Sequence, residues 1–419
     1  MATLVPFRAL RPTPECARHV AAVPYDVVST DEARALATGN PLSFLHVSRA
    51  EIDLPPGTNP YAEVVYAAAA SRFDALRRDA PLVFEESPSV YAYRLKGDQH
   101  EQIGLAACYA LDEYDRDVIK KHERTRRDKE DDRTRHMIAL RAQTGPVFLT
   151  YRAAANIEAI VSRVTAGEAL FDFEAVDGVR HTVWRIPSND AQPLVAAFGA
   201  IPSLYIADGH HRAASAARAR QVLRDAAKSK SQGGAATAVA EGTLPCDVFL
   251  AVAFPDNQVR ILPYNRTVQD LHGLSADAFL DTVRARFDLS PGRSSPVRKG
   301  EISMYLAGRW HSLRSRPGSG APHNVIAALD VSVLQHRLLE QVLGIRDVRT
   351  DPRVDFIGGA RGTGILEKMV DEGRAAVAFS LYPVSATDLM AIADAGEIMP
   401  PKSTWFEPKL RDGLLIHKI

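Results

Sequence analysis

Apolar positions along this chain repeat with two periods, and the changes of period mark its elements. VPFRAL and AAVPYDVVS are short strand-like runs broken by Pro6, Pro12, Pro14 and Pro24. STDEARALATGN reads as a capped helix. Ser29 or Thr30 can cap it, Asp31 and Glu32 suit the positive end of its dipole, and Gly39-Asn40 closes it before Pro41. PLSFLHVSRAEIDLPPG returns to strand and turn. NPYAEVVYAAAASRFDALRRDA predicts an alanine-rich amphipathic helix opened by Asn59-Pro60. PSVYAYRLKGDQHEQIGLAACYAL predicts a hairpin about Gly97-Asp98, with Val90, Tyr91 and Tyr93 on one arm and Ile103, Leu105 and Cys108 on the other.

The next stretch, DEYDRDVIKKHERTRRDKEDDRTRHMIALRAQTG, is highly charged. Its first part reads as a connector, and DDRTRHMIALRAQ as a helix stopped by Gly145-Pro146. PVFLTYR reads as a strand, ANIEAIVSRVTAG as a helix, FDFEAVDGVRHTVWRI as a hairpin turning at Asp177-Gly178, and DAQPLVAAFGAI as a helix. PSLYIADGHHRAASAARARQVLRDAA divides into strand, tight turn and long helix, and KSKSQGGAATAVAEG after it reads as a flexible loop. Beyond Cys246, VFLAVAFP, VRILPYNRTV, EISMYLAGRW, DFIGG and AAVAFSLYP predict strands. SADAFLDTVRARF, VSVLQHRLLEQVLG, TGILEKMVDEG and TDLMAIADAGE predict helices. No repeat of fixed period occurs, and the mixture of helices and hairpins predicts an α/β (α+β) protein. Three segments are expected: an N-terminal α/β segment over 1–115, a core over 116–242, and a C-terminal α/β segment over 243–419.

Composition narrows the function. Across 419 residues, Lys+Arg and Asp+Glu stand at 51 each, which excludes a chain-wide polycationic face and leaves only local basic patches. No apolar stretch approaches the roughly 18–20 residues that span a bilayer. MATLVPFRALRPTPECARHV lacks the apolar run and small-residue cleavage site of a secretory leader, so a cytoplasmic protein with no membrane partner is expected. Cys16, Cys108 and Cys246 are too far apart for a disulfide framework or a paired-cysteine zinc site.

The sharpest chemistry lies in Tyr205-Ile206-Ala207-Asp208-Gly209-His210-His211-Arg212. An apolar strand ends at Asp208, Gly209 permits a tight turn, and a helix begins at once. The N–H groups and dipole of that helix start favour an anion, and Arg212 brings donors suited to phosphate oxygens. Asp208 at the strand tip can hold a magnesium ion or orient a hydroxyl; alternatively it is a helix cap. His210 and His211 are adjacent and diverge, which argues against a shared zinc ion. The second signal is Lys120-Lys121-His122-Glu123-Arg124-Thr125, where Glu123 beside His122 and two lysines can accept a hydroxyl proton; a charge run of this kind also suits a solvated face. Pro24-Tyr25-Asp26, His46 with Glu51 and Asp53, and the terminal PPKSTWFEPKL add polar groups that suit turns or a segment folded over a site. GGARGTG at 358–364 has the glycines of a phosphate loop without the Lys-Ser/Thr that should follow.

PYDVVS, SFLHVSRAEIDLP, KKHERT, DGHHRAASA, LPYNR and PPKSTWFEPKL, in this order, resemble a widespread family described as a domain of unknown function, over nearly the whole chain. Within it, HE…DGHHR resembles the ParB/sulfiredoxin superfamily, and most closely its free-serine kinases. The resemblance implies a ParB/sulfiredoxin-like core with large N- and C-terminal extensions, binding ATP or ADP with Mg2+ and phosphorylating free L-serine. Carried over by motif, Glu123 would be the catalytic base. Asp208 would assist it or hold magnesium, while Gly209, His210, His211 and Arg212 would grip the phosphates together with Lys121. His122 and Lys402 are further pocket candidates. This chain departs from the compact kinases in separating the two motifs by 85 positions and in its long terminal segments.

The first reading is therefore a magnesium- and ATP-dependent small-molecule kinase. A second is a nucleotide-dependent, ParB-like DNA-associated protein. Lys120, Lys121, Arg124, Arg126 and Arg127 permit it, while Asp128, Glu130, Asp131, Asp132 and the neutral overall charge argue against nucleic acid as a partner. Sulfiredoxin-like chemistry needs a cysteine where this turn carries histidine, and is set aside. Whether the chain forms a homo-oligomer is left open.

Overall fold

The apolar runs between residues 91 and 255 pair into one mixed sheet in the computed structural model, which describes residues 1–79, 82–231, 244–316 and 324–419. The chain forms two bodies. The first comprises Met1–Lys121, Thr125–Val259 and Pro408–Ile419, the second His122–Arg124 and Arg260–Glu407. A mixed α/β architecture is therefore what these sequence periods produce.

The first body holds strands β1 (Leu4–Val5), β2 (Tyr91–Lys96), β3 (Glu101–Ala110), β4 (Ile119–Lys120), β5 (Val147–Tyr151), β6 (Phe171–Glu174), β7 (Arg180–Arg185), β8 (Leu204–Asp208) and β9 (Val248–Pro255). Their order is β4-β8-β5-β9-β3-β2-β7-β6, with β1 also paired to β3. Only the β4–β8 and β5–β9 pairs are parallel. Every residue of β5 and β9 is buried, which is why VFLTY and VFLAVAFP are apolar throughout rather than alternating. Gly104 on β3 is needed where it stands: a Cβ there would meet Val252 at 2.7 Å and the Ala253 carbonyl at 2.9 Å.

Three long helices frame the sheet's first body: α1 (Glu63–Asp79), α2 (Arg127–Leu140) and α3 (His210–Ser231). The helix expected over DDRTRHMIALRAQ is present as α2 and begins four residues earlier, at Arg127, inside the stretch expected as a connector. Its charges are matched by α3, where Arg218 pairs with Glu130 and Asp131 and the Ser215 hydroxyl donates to the Glu130 carbonyl at 3.1 Å. The helix stops at Leu140, with Arg141 left-handed at φ 51°, and not at Gly145. The reason is tertiary: Ala142 and Gln143 ladder with Lys418 and His417.

Local readings failed elsewhere for the same reason. Pro14–Val20 is a helix, with proline in its first turn where only its fixed φ matters. PYDVVS is a turn rather than a strand. Residues 45–53, expected as strand and turn, form a helical turn (Leu45–Ser48) and a 3-10 turn (Ala50–Asp53). Phe44, Leu45, Val47 and Ile52 bury their side chains in one cluster with Val65, Ala69 and Phe73 of α1. Of the expected loop KSKSQGGAATAVAEG, the first residues continue α3 to Ser231, and 232–242 lie outside the described residues.

In the second body, β10 (Tyr264–Val268), β11 (Phe287–Pro291), β12 (Glu301–Leu306), β13 (Arg309–Ser315), β14 (Val354–Gly358) and β15 (Val377–Leu381) form an antiparallel sheet in the order β11-β13-β12-β15-β10-β14. Its core includes Phe279, Met304, Leu338 and Phe379. EISMYLAGRW is a hairpin rather than one strand, turning at Ala307 and Gly308, both with positive φ. VSVLQHRLLEQVLG begins as an α-helix at Asp330 and loosens into a π-helix over Gln335–Glu340. No helix among the described residues is long and apolar enough to cross a membrane.

The last twelve residues belong to the first body. Ala22 and Asp412 exchange backbone hydrogen bonds, as do Leu10 and Ile416. Gly413 makes the turn between these contacts at φ +85°, and a Cβ there would meet the Phe44 ring at 2.6 Å. Gly413→Ala combines left-handed strain with overpacking and should cost about 2–4 kcal/mol. Gly178→Ala, at φ +77° with open space around it, keeps only the strain. Urea unfolding of the two variants should give a clearly larger loss for Gly413→Ala; equal losses would show that Phe44 yields.

Candidate functional site

The end of β8 and the start of α3 build the site. Gly209 stands at φ +96°, a conformation that lets the chain turn from strand to helix within one residue. The first intrahelical bond is Ala213 N–H to Gly209 C=O at 3.0 Å, so the N–H groups of the first turn point out of the helix's N-terminal end. Asp208 keeps 26% of its side chain exposed and accepts from the Lys409 ammonium at 2.8 Å, with an Arg212 Nη 3.8 Å from its other oxygen. Burial works to raise the Asp208 pKa, but Lys409 and then Arg212 outweigh it and hold the carboxyl well below its usual range.

Arg212 lies beneath the turn. It is 5% exposed, donates to the Pro146 carbonyl, and would sit 3.0 Å from a Cβ on Gly209. On its far side is a small polar cavity of about 20 Å³, room for roughly one water. Tyr25, Ser48, Arg133, His136, Thr144 and Asp412 share its lining with Arg212. Three buried atoms of this wall make no hydrogen bond: Ser48 Oγ, Arg212 Nε and Asp412 Oδ1. Burial raises Asp412 to about 7 against the pull of Arg212, and Asp26 adds to the rise. Burial likewise lowers His136 to about 3, helped by Arg133, and its Nε2 bonds the Val47 carbonyl at 2.9 Å as a neutral imidazole.

The charged motif approaches the turn through Arg126, whose backbone N–H donates to His211 Nε2 at 3.0 Å. His210 is 4% exposed. Lys121 donates to the Tyr114 carbonyl at 2.8 Å and stands 3.5 Å from Asp117. His122 and Glu123 belong to the second body, where the His122 carbonyl accepts from Met399 N–H at 2.8 Å. Lys402 is in that body too, left-handed at φ 56° with its ammonium 5.3 Å from the Tyr264 ring centre. Beside it, the buried Arg266 donates to the Tyr264 and Pro401 carbonyls, so that LPYNR and PPKST are joined.

The structure thus brings Asp208, Gly209, His210, His211 and Arg212 together in the first body, and His122, Glu123 and Lys402 in the second. Asp412 and His136 were not singled out from the sequence, while Lys409 entered only as the end of the terminal PPKSTWFEPKL motif and Arg133 only as part of the charge run. The available signal was charge inside apolar strings: Arg411 and Asp412 interrupt an otherwise buried tail, and Arg133 and His136 sit one turn apart on a helix. A single carboxylate such as Asp208 suits a magnesium ion carried in on phosphates. Among the described residues no group of three or more His, Cys, Asp or Glu forms a protein cage for a metal.

Asp412 gives this cluster a pH dependence. Its folded pKa of about 7 exceeds the unfolded value near 3.9, so its stability contribution is full below about pH 4 and is lost as pH rises through 7. Urea unfolding of wild type and Asp412→Asn at several pH values should show the variant gaining on wild type from pH 4 to 7 and holding level above 8. A difference independent of pH would remove Asp412 as the titrating group.

Comparison with known proteins places the chain more coarsely. No protein of curated function matches it by sequence. Among solved structures, SbnI with a C-terminal truncation from Staphylococcus aureus is similar at TM-score 0.38 and 13% identity, covering 73% of this chain and 85% of that one. A conserved hypothetical protein from Pyrococcus furiosus is similar at TM-score 0.34 and 12% identity, with 74% and 94% covered. A free serine kinase mutant in complex with AMP is similar at TM-score 0.35 and 11% identity, with 73% and 92% covered. The family model "Protein of unknown function (DUF1015)" matches residues 4–332, more than three quarters of the sequence, and the chain belongs to that family.

Proposed function

We propose that this protein is a magnesium- and ATP-dependent small-molecule kinase whose acceptor is the hydroxyl of free L-serine. The observation that carries the reading is the strand-to-helix turn at 208–212: an anion-receptive helix start beside a carboxylate kept ionised by two cations. The HE…DGHHR resemblance supplies the reaction class. Phosphoryl transfer asks mainly for positioning and electrostatic stabilisation, which such a turn can provide.

In this reading the helix start receives the nucleotide phosphates, and Asp208 would hold a magnesium ion carried on them, which would supply positive charge at the phosphates. The HE…DGHHR resemblance assigns Glu123 as the base that takes the serine hydroxyl proton as that oxygen attacks the γ-phosphorus. The bond to the β–γ bridging oxygen breaks and ADP leaves. Arg212, buried under the turn, positions Asp208 rather than meeting the phosphates.

Incubation with ATP, Mg2+ and a panel of hydroxyl compounds, followed by mass spectrometry, should yield O-phosphoserine; nucleotide turnover with none of them ends the reading. Glu123→Gln should lower turnover by about 10²–10⁴-fold with ADP affinity unchanged. Asp208→Asn is a poorer probe, because it strips the carboxylate partner from the half-buried Lys409 ammonium and from the buried Arg212, and should lower Tm as well as turnover.

A further inference from the structure

We propose that Lys409, from the C-terminal segment, is a phosphate-contacting residue of the turn at 208–212. This inference rests on the nucleotide reading above and assigns to the site a residue some two hundred positions away. Its ammonium reaches Asp208 at 2.8 Å, at the last residue of β8, immediately before the turn.

The turn's own arginine is withdrawn. The Arg212 guanidinium lies inside the body, donates to Pro146 and packs within van der Waals reach of Gly209. Its Nε, in a residue 5% exposed, has no hydrogen-bond partner. A turn that offers phosphate only backbone N–H groups next to an ionised Asp208 would repel a nucleotide that arrives without its magnesium ion. A cation shared by carboxylate and phosphate removes that conflict. An ammonium has three donors and can hold oxygens of both groups at once, whereas the rigid guanidinium fork below the turn cannot rotate to do so.

Lys409 is also set in advance. Pro408 and Leu410 on either side are buried, its carbonyl accepts from Arg411, and Arg411, 2% exposed, pairs with Asp177 at the tip of the β6–β7 hairpin. A lysine whose backbone is fixed loses less freedom on meeting a ligand. Pinning the tail does not require the Asp208 contact. The backbone pairs of Asp412 with Ala22, Ile416 with Leu10 and His417 with Gln143 already do that.

The test compares ADP, AMP and adenosine binding to the full chain by calorimetry. Lys409→Met should weaken ADP by about ten- to hundredfold, weaken AMP less, and leave adenosine unchanged. A wild-type preference for ADP over adenosine in that variant overturns the proposal, as does an equal loss for both ligands, which would mark a structural role. A second measurement uses the wild-type chain with 13Cε-labelled lysine. The Lys409 resonance, assigned by its loss in Lys409→Arg, should shift with ADP and not with adenosine; no shift while ADP is bound also overturns it. A wild-type chain that binds none of the three ligands overturns the nucleotide reading as well, and so is told apart from failure of the Lys409 assignment alone.

Discussion

A carboxylate at the end of a buried strand needs cations, and the pairing of Asp208 with Lys409 and Arg212 is the interaction on which the turn at 208–212 depends. One cation is local, four residues on from Asp208 and in the first turn of α3. The other comes from 201 positions away, so the chain must return after building the whole second body to complete a site begun at residue 208. The returning segment is held by its own backbone pairs. Residues 408–419 thread along Leu10, Ala22 and Gln143, and the N-terminal segment is held by the same contacts.

Arg212 does for the interior what Lys409 does at the mouth. It stands between Asp208 and Asp412, with Asp26 and Tyr25 also acting on it electrostatically. Loss of that guanidinium would remove the positive charge that lowers the pKa of both carboxyls. Gly145 and Gly209 keep the space that it and Asp412 need: a Cβ on Gly145 would meet Asp412 Oδ1 at 2.5 Å. The polar cavity whose lining includes Ser48, Arg212 and Asp412, each with an unsatisfied buried atom, has room for about one water. Such a network fixes the turn before any ligand arrives, which is the form of preorganisation that electrostatic catalysis uses.

What the sequence made legible was local. Ser29 forms a reciprocal capping box with Glu32 at the head of Thr30–Ala37, and the hairpins at 91–110 and 171–185 turn where Gly97 and Asp177-Gly178 stand. The strand, glycine turn and helix at 204–231 are likewise present. What was not legible depends on partners far away. FLHVSRAEID has apolar residues that serve a strand or a short helix equally, and α1 decides between them. The run KEDDR looks like a solvated face until α3 supplies Arg218. PYDVVS is apolar enough for a strand, yet its Tyr25 is drawn to line a polar cavity with Arg133, over which it stacks at 4.1 Å. No local period encodes that choice.

The boundaries of the family match sharpen the point. The matched span ends at residue 332, while the first body takes its last strand-like contacts from 408–419. The turn that carries DGHHR falls inside the span, but the ammonium that neutralises its aspartate and the carboxylate that faces its arginine fall outside. A chain ending at 332 would leave Asp208 with Arg212 as its one cation among the described contacts and would remove Asp412 from the wall of the cavity. The site at 208–212 is therefore a property of the folded length of the chain. Its charge balance, unlike its glycine and helix start, is set where the motif cannot reach.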